Sequence, residues 1–90
     1  MTGQLVTSTA GHDKGNIYII VDEDENFLYL CDGKTKNQDN PKKKRKKHAE
    51  MIYAFAQDSL RNRLKSGERV YPEEFRTTIK QYKNLKINKM

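Results

Sequence analysis

The chain has 90 residues, of which 34% are hydrophobic and 33% charged, and its formal net charge is +6. That length accommodates one domain with a small core, enough for a five-stranded barrel with a helix or two laid on it but too modest for a deep enzymatic cleft. The single cysteine, Cys31, excludes an intrachain disulfide and a multi-cysteine zinc site, and makes a reducing cytosol the default compartment.

The charge is unevenly placed. Residues 1–40 carry three basic and seven acidic side chains, residues 48–90 carry nine basic and five acidic ones, and Lys42-Lys43-Lys44-Arg45-Lys46-Lys47 lies between them with no acid. Without that run the chain is formally neutral, so its positive field is local, as suits a surface that meets a polyanion on one side. Met1–Gln4 lacks the positive charge and long apolar stretch of a signal peptide. The apolar runs Ile17–Val21 and Met51–Ala56 are too short to cross a bilayer, and the expectation is a soluble, cytoplasmic protein.

Leu5–Ser8 and Asn16–Val21 read as strands rich in β-branched and aromatic residues. They flank Gly11-His12-Asp13-Lys14-Gly15, a loop with a glycine at each end, two charges and no large apolar side chain. In the second strand Ile17, Ile19 and Val21 face one way, Tyr18 and Ile20 the other. With both faces apolar, the strand needs cover on its outer side, which the C-terminal helices can supply. Asp22–Asn26 is an acidic connection to a third strand, Phe27–Cys31, in a hairpin whose tip should lie far from the basic run. Asp32-Gly33 signals a turn into a short fourth strand at Lys34–Lys36. The polar loop Asn37–Pro41 follows, and the basic run then straddles an exposed loop and the start of a closing strand over Lys47–Ile52.

The remainder is helical. Asp58 or Ser59 can cap a helix bearing Leu60 and Leu64, with Gly67 as its stop. Pro72 fits the first position of a second helix, Glu73 and Glu74 suit its dipole, and Val70 and Phe75 are spaced as a hydrophobic staple. Phe75, Ile79 and Tyr82 form a narrow stripe for packing on the barrel, and Asn84–Met90 should fray.

Gly3, Val6, Ala10, Gly11, Asp13, Lys14, Gly15 and Val21, with Leu30, Asp32 and Gly33 further on, give this half of the chain a recognisable pattern. It resembles a KOW motif, and most closely the fourteen-e type of large-subunit ribosomal protein of archaea and eukaryotes and its small bacterial relatives. Tyr18 stands where many KOW motifs have a further glycine, which favours the fourteen-e-like branch over the elongation factors. The resemblance implies a mainly β fold: a small SH3-like β-barrel of KOW type over residues 1–56, followed by one or two α-helices over 57–90 packed on it as a single domain. It also implies RNA as the partner, with ribosomal proteins as further neighbours.

The candidate RNA-binding residues are His12 and Lys14 in the glycine-bounded loop and Lys42, Lys43, Lys44, Arg45, Lys46 and Lys47 in the basic run. Clustered cations displace condensed counterions from phosphates, which gives sequence-independent affinity. Asp13 either joins that surface or shapes the turn by accepting backbone amides. The aromatics Tyr18, Phe27, Tyr29 and Tyr53 are expected in core or helix-facing roles rather than stacked on bases. His12 and His48 have no nucleophile or metal-ligand partner at suitable spacing, Cys31 sits in an apolar strand, and Asp22–Glu25 lacks a calcium-loop pattern. The reading is a non-enzymatic RNA-binding protein with no cofactor, no metal and no small-molecule substrate. The alternative is an SH3-like adaptor that docks on ribosome or transcription machinery through its helices.

Overall fold

The computed structural model describes residues 2–53 and 58–88, with side chains through Leu85. Five strands form one antiparallel sheet: β1 (Leu5–Ser8), β2 (Ile17–Glu23), β3 (Phe27–Cys31), β4 (Lys42–Arg45) and β5 (Ala49–Ile52), in the order β4-β3-β2-β1-β5. A single 3-10 turn, Lys46–His48, joins β4 to β5, and two helices follow, α1 (Asp58–Lys65) and α2 (Pro72–Asn88). The mainly β fold with C-terminal helices is therefore as expected. The expected boundary between the two parts, at residues 56 and 57, lies outside the described residues.

The sheet is apolar on both faces, and each face has its own cover. Val6, Tyr18, Ile20, Leu28 and Leu30 are buried together inside the curl of the sheet, with Ala49 and Met51 of β5 against them. Leu5, Ile19 and Cys31 point outward and are sealed by Leu60 and Leu64 of α1, Val70, and Phe75 and Ile79 of α2. The period-two alternation of β2 thus sorts its side chains as the sequence implied. At Val21 the ladder slips: Ile20 pairs with Leu30, but Asp22 pairs with Tyr29. This bulge leaves Val21 packed against the helix-covered cluster and sends Asp22 to solvent.

The basic run is where the expected elements differ most from the observed ones. No strand forms at Lys34–Lys36. The Asp32 carboxylate instead accepts the backbone N–H groups of Lys34, Thr35 and Lys36 at 2.8–3.0 Å and the Thr35 hydroxyl at 3.1 Å, holding the segment as a tight loop. The fourth strand is Lys42–Arg45 itself, paired along β3 from Leu30↔Lys42 to Phe27↔Arg45. The closing strand starts at Ala49 rather than Lys47, because Lys46–His48 are taken up in the 3-10 turn.

The helical half follows its sequence signals closely. Asp58 and Ser59 are already inside α1, where Asp58 lies in the first turn. The helix ends in a Schellman arrangement: Gly67 N–H donates to Leu64 O at 3.1 Å and Glu68 N–H to Arg63 O at 3.0 Å. Tyr71 has no capping side chain, and Glu74 makes up for it by accepting the Tyr71 N–H at 3.0 Å. The same carboxylate takes the Arg63 guanidinium in a fork at 2.6 and 3.0 Å, which fastens α1 to α2. α2 continues to Asn88, past Asn84 where the sequence suggests fraying begins, and residues 89–90 of that tail lie outside the described residues.

Two consequences bear on function. Phe75 and Ile79 are buried in the core, with Tyr82 packed against the same cluster, so this stripe packs on the sheet as expected and is not a face that α2 could offer an adaptor's partner. Cys31 is fully buried, and burial, helped by the neighbouring Asp32 charge, pushes its thiol up to about 12. A thiol held in that form is a poor nucleophile. Cys31→Ser should leave ligand affinity unchanged and cost about 1–2 kcal/mol for a buried hydroxyl, read as a shift in the urea midpoint. Loss of binding by a folded Ser variant would assign the cysteine a functional role.

Candidate nucleic-acid interface

A strand made only of cations still has two faces, and the partner strand decides what each face meets. Lys42 and Lys44 lie opposite Leu30 and Leu28, on the inner face, while Lys43 and Arg45 lie opposite Tyr29 and Phe27, on the outer face. The inner pair runs its aliphatic stems toward the barrel interior and brings its ammonium groups to Asp13. Lys44 Nζ donates to Asp13 Oδ1 at 2.9 Å and to Ala10 O at 2.7 Å, and Lys42 Nζ stands 3.4 Å from Asp13 Oδ2.

Asp13 is therefore neither a surface contact nor a residue that shapes its turn through backbone amides. Its carboxylate is buried, accepts the Ser8 hydroxyl at 3.0 Å and the Tyr18 hydroxyl at 3.4 Å, and joins the β1–β2 loop to β4. Burial alone would push its carboxyl up. Hydrogen bonds from Lys44 and Ser8 and the charges of Lys42 and Lys44 outweigh that and hold it at about 2. The loop and β4 are distant in the strand order, so this contact also registers how far the sheet curls.

The loop itself is two overlapping turns, with Lys14 N–H donating to Gly11 O and Asn16 N–H to Asp13 O. With Asp13 turned inward, His12 and Lys14 are left exposed on the side away from the barrel. The two candidate surfaces of the sequence are thus one connected region, pinned at its centre by a buried ion pair.

The outer half of β4 is different. Lys43 Nζ lies 4.3 Å from the centre of the Phe27 ring, and the Arg45 guanidinium carbon lies 5.2 Å from it. Both cations are exposed and the ring between them is half-buried. Cys31 and Phe27 belong to the same face, but the helices cover only the Cys31 end, so Phe27 stays accessible. Tyr29, beside it, donates its hydroxyl to Asp24 at 2.8 Å. A cation over an aromatic face gains about 0.5–1 kcal/mol at an exposed site, and it keeps the charge near a flat apolar surface.

Lys46 pairs with Glu23 at 3.3 Å, and its backbone N–H donates to Asn26 O. The acidic hairpin tip is thus adjacent to the basic run, contrary to the sequence expectation, and neutralises part of it. Lys47 is exposed and, among the described residues, has no ion pair. Of the eight candidates, Lys42, Lys44 and Lys46 are engaged within the protein, while His12, Lys14, Lys43, Arg45 and Lys47 face solvent. The sequence places Phe27 in a core or helix-facing role, whereas its ring is only half-buried and carries two exposed cations. The signal for this was its place two residues from Tyr29 on a strand whose far end alone could be covered.

Among the described residues no group of three His, Cys, Asp or Glu could hold a metal ion, and no helix is long and apolar enough to cross a membrane. The chain matches no family model and no curated protein sequence.

Proposed function

We propose that the protein is a non-enzymatic RNA-binding module that meets structured RNA with the outer face of β4 and the adjoining β1–β2 loop. The observation that carries this reading is the division of the basic run: Lys43 and Arg45 are held outward around an accessible Phe27 ring, while Lys42 and Lys44 are used to fix the loop that presents His12 and Lys14. Lysines and an arginine on an extended edge strand track a phosphate backbone, and the Phe27 ring holds two of those cations at the surface. Structured RNA is recognised largely by shape and backbone, which suits a surface without a base-reading constellation.

The sequence resemblance to KOW proteins of the fourteen-e ribosomal type supports the same reading and narrows it to a ribosomal or ribosome-like RNA, met in the cytoplasm. The test is a salt titration against a fluorescein-labelled RNA stem-loop. Four exposed cations, Lys14, Lys43, Arg45 and Lys47, should give a log–log slope of roughly −3, at about 0.7–0.9 per phosphate. Affinity that persists unchanged at high salt would rule out phosphate contact as its source.

A further inference from the structure

A second group of cations lies away from β4. A groove of about 650 Å³ runs between α2 and the sheet, floored by Ile17 and Ile79 and edged by Lys34, Arg76, Lys80 and Lys83. Lys34 comes from the loop that Asp32 holds closed, and the other three come from one face of α2 at spacings of four and three residues. Arg76 is fixed by donating to Gly33 O at 2.5 Å. Among the described residues, Lys34, Lys80 and Lys83 have no ion pair. Two acids share the groove. Asp32 has its carboxylate turned to the backbone amides of Lys34, Thr35 and Lys36, and Glu73 stands at the start of the helix.

Gly15 and Asn16 also line this groove. They end the same loop whose Asp13 is bound to β4, so the loop is a bridge with a basic face on either side. Along α2 the rise from Arg76 to Lys83 is about 10 Å, a span over which the groove's cations can meet successive phosphates of one strand.

We propose that this groove is a second phosphate-backbone site, so that an RNA held on β4 passes over the Gly11–Gly15 loop and lays a further stretch of backbone along Lys34, Lys80 and Lys83. The proposal rests on the RNA-binding reading, and it adds a surface which that reading does not require. Its test uses the full chain, fluorescence anisotropy and the same labelled RNA stem-loop extended by a single-stranded tail. One variant carries K34Q, K80Q and K83Q, leaving Arg76 in place because it braces the Gly33 loop. Another carries K43Q, R45Q and K47Q.

The groove variant should keep the wild-type melting temperature, lose about tenfold in affinity and flatten the salt slope by about 2. Removing the tail should cost the wild type affinity and leave the groove variant nearly unaffected. If the groove variant binds like wild type while the β4 variant fails, the groove is not a binding site and the β4 reading stands. If the groove variant alone fails, the groove stands and the β4 reading falls. If neither variant loses affinity, or the wild type does not bind, both are overturned.

Discussion

Gly33→Val should unfold the protein, and Gly15→Val should only weaken it. Both glycines hold positive φ, +77° and +90°, where a β-branched residue is strained by roughly 1–3 kcal/mol. They differ in what a side chain would meet. Around Gly15 a Cβ finds nothing within 4 Å, so conformational strain is its whole cost. At Gly33 a Cβ would lie 2.1 Å from the Pro72 carbonyl oxygen and 3.0 Å from the Arg76 nitrogen. Those are backbone atoms of the first turn and a half of α2, and they can yield only if the helix lifts. Lifting α2 uncovers Phe75 and Ile79 and breaks the Arg76 contact to Gly33 O. Losing one large core aromatic alone costs about 3–5 kcal/mol, a large share of the stability of a domain this size. Urea unfolding followed by far-ultraviolet circular dichroism should therefore show a measurable native baseline for Gly15→Val and little or none for Gly33→Val. Equal midpoints for the two would mean that α2 does not seat on the Asp32–Lys36 loop as described.

The contrast marks what could be read in the sequence. Wherever apolar and polar residues alternate, or a helix carries its stop and start signals, the elements were legible: β1, β3, the Gly67 stop, the Pro72 start and the Val70–Phe75 staple fall where the pattern put them, and β2 differs only in running on through Asp22 and Glu23 of the acidic connection. Periodicity fails where every residue in a segment is of one kind. Lys42–Arg45 has no hydrophobic alternation to read, so the run could not be seen as a strand, nor its two faces told apart. The information lies on β3, where Leu28 and Leu30 alternate with Phe27 and Tyr29 and impose their faces on the lysines opposite. The same blindness produced the false strand at Lys34–Lys36. An Asp at the head of a turn can satisfy three successive amides by itself and so remove the need for a partner strand, which the residue types alone do not reveal. The α2 cations are spread along a helix that otherwise reads as a packing element, and only the close approach of the Gly33 loop turns them into the wall of a groove.

The two halves of the basic run should fail in opposite ways. In Lys44→Gln the buried Asp13 carboxylate keeps Ser8 and a Lys42 ammonium at 3.4 Å but loses the partner at 2.9 Å. Removing one member of a buried pair costs about 3–5 kcal/mol when nothing replaces it, and with Lys42 remaining the loss should be about 2–3 kcal/mol. Because the outward face of β4 is untouched and Lys42 still holds the loop that presents His12 and Lys14, RNA affinity measured below the melting temperature should fall much less than in the outer pair. Lys43→Gln with Arg45→Gln should move stability by no more than about 0.5 kcal/mol each, yet weaken RNA binding about tenfold and flatten its salt slope by about 2. Acid adds an independent check on the inner half. The Asp13 carboxyl is held at about 2 against an ordinary 3.8, so the folded state favours its ionised form. That contribution is complete above the ordinary value and is lost as the pH falls from about 4 through 2, amounting to about 2 kcal/mol. Asp13→Asn should therefore be less stable than wild type at neutral pH and converge on it in acid, a difference that cancels the other carboxylates common to both. A Lys44 variant that keeps full stability while losing RNA, or an Asp13 variant whose deficit is the same at every pH, would show that the inner lysines serve the ligand rather than the loop.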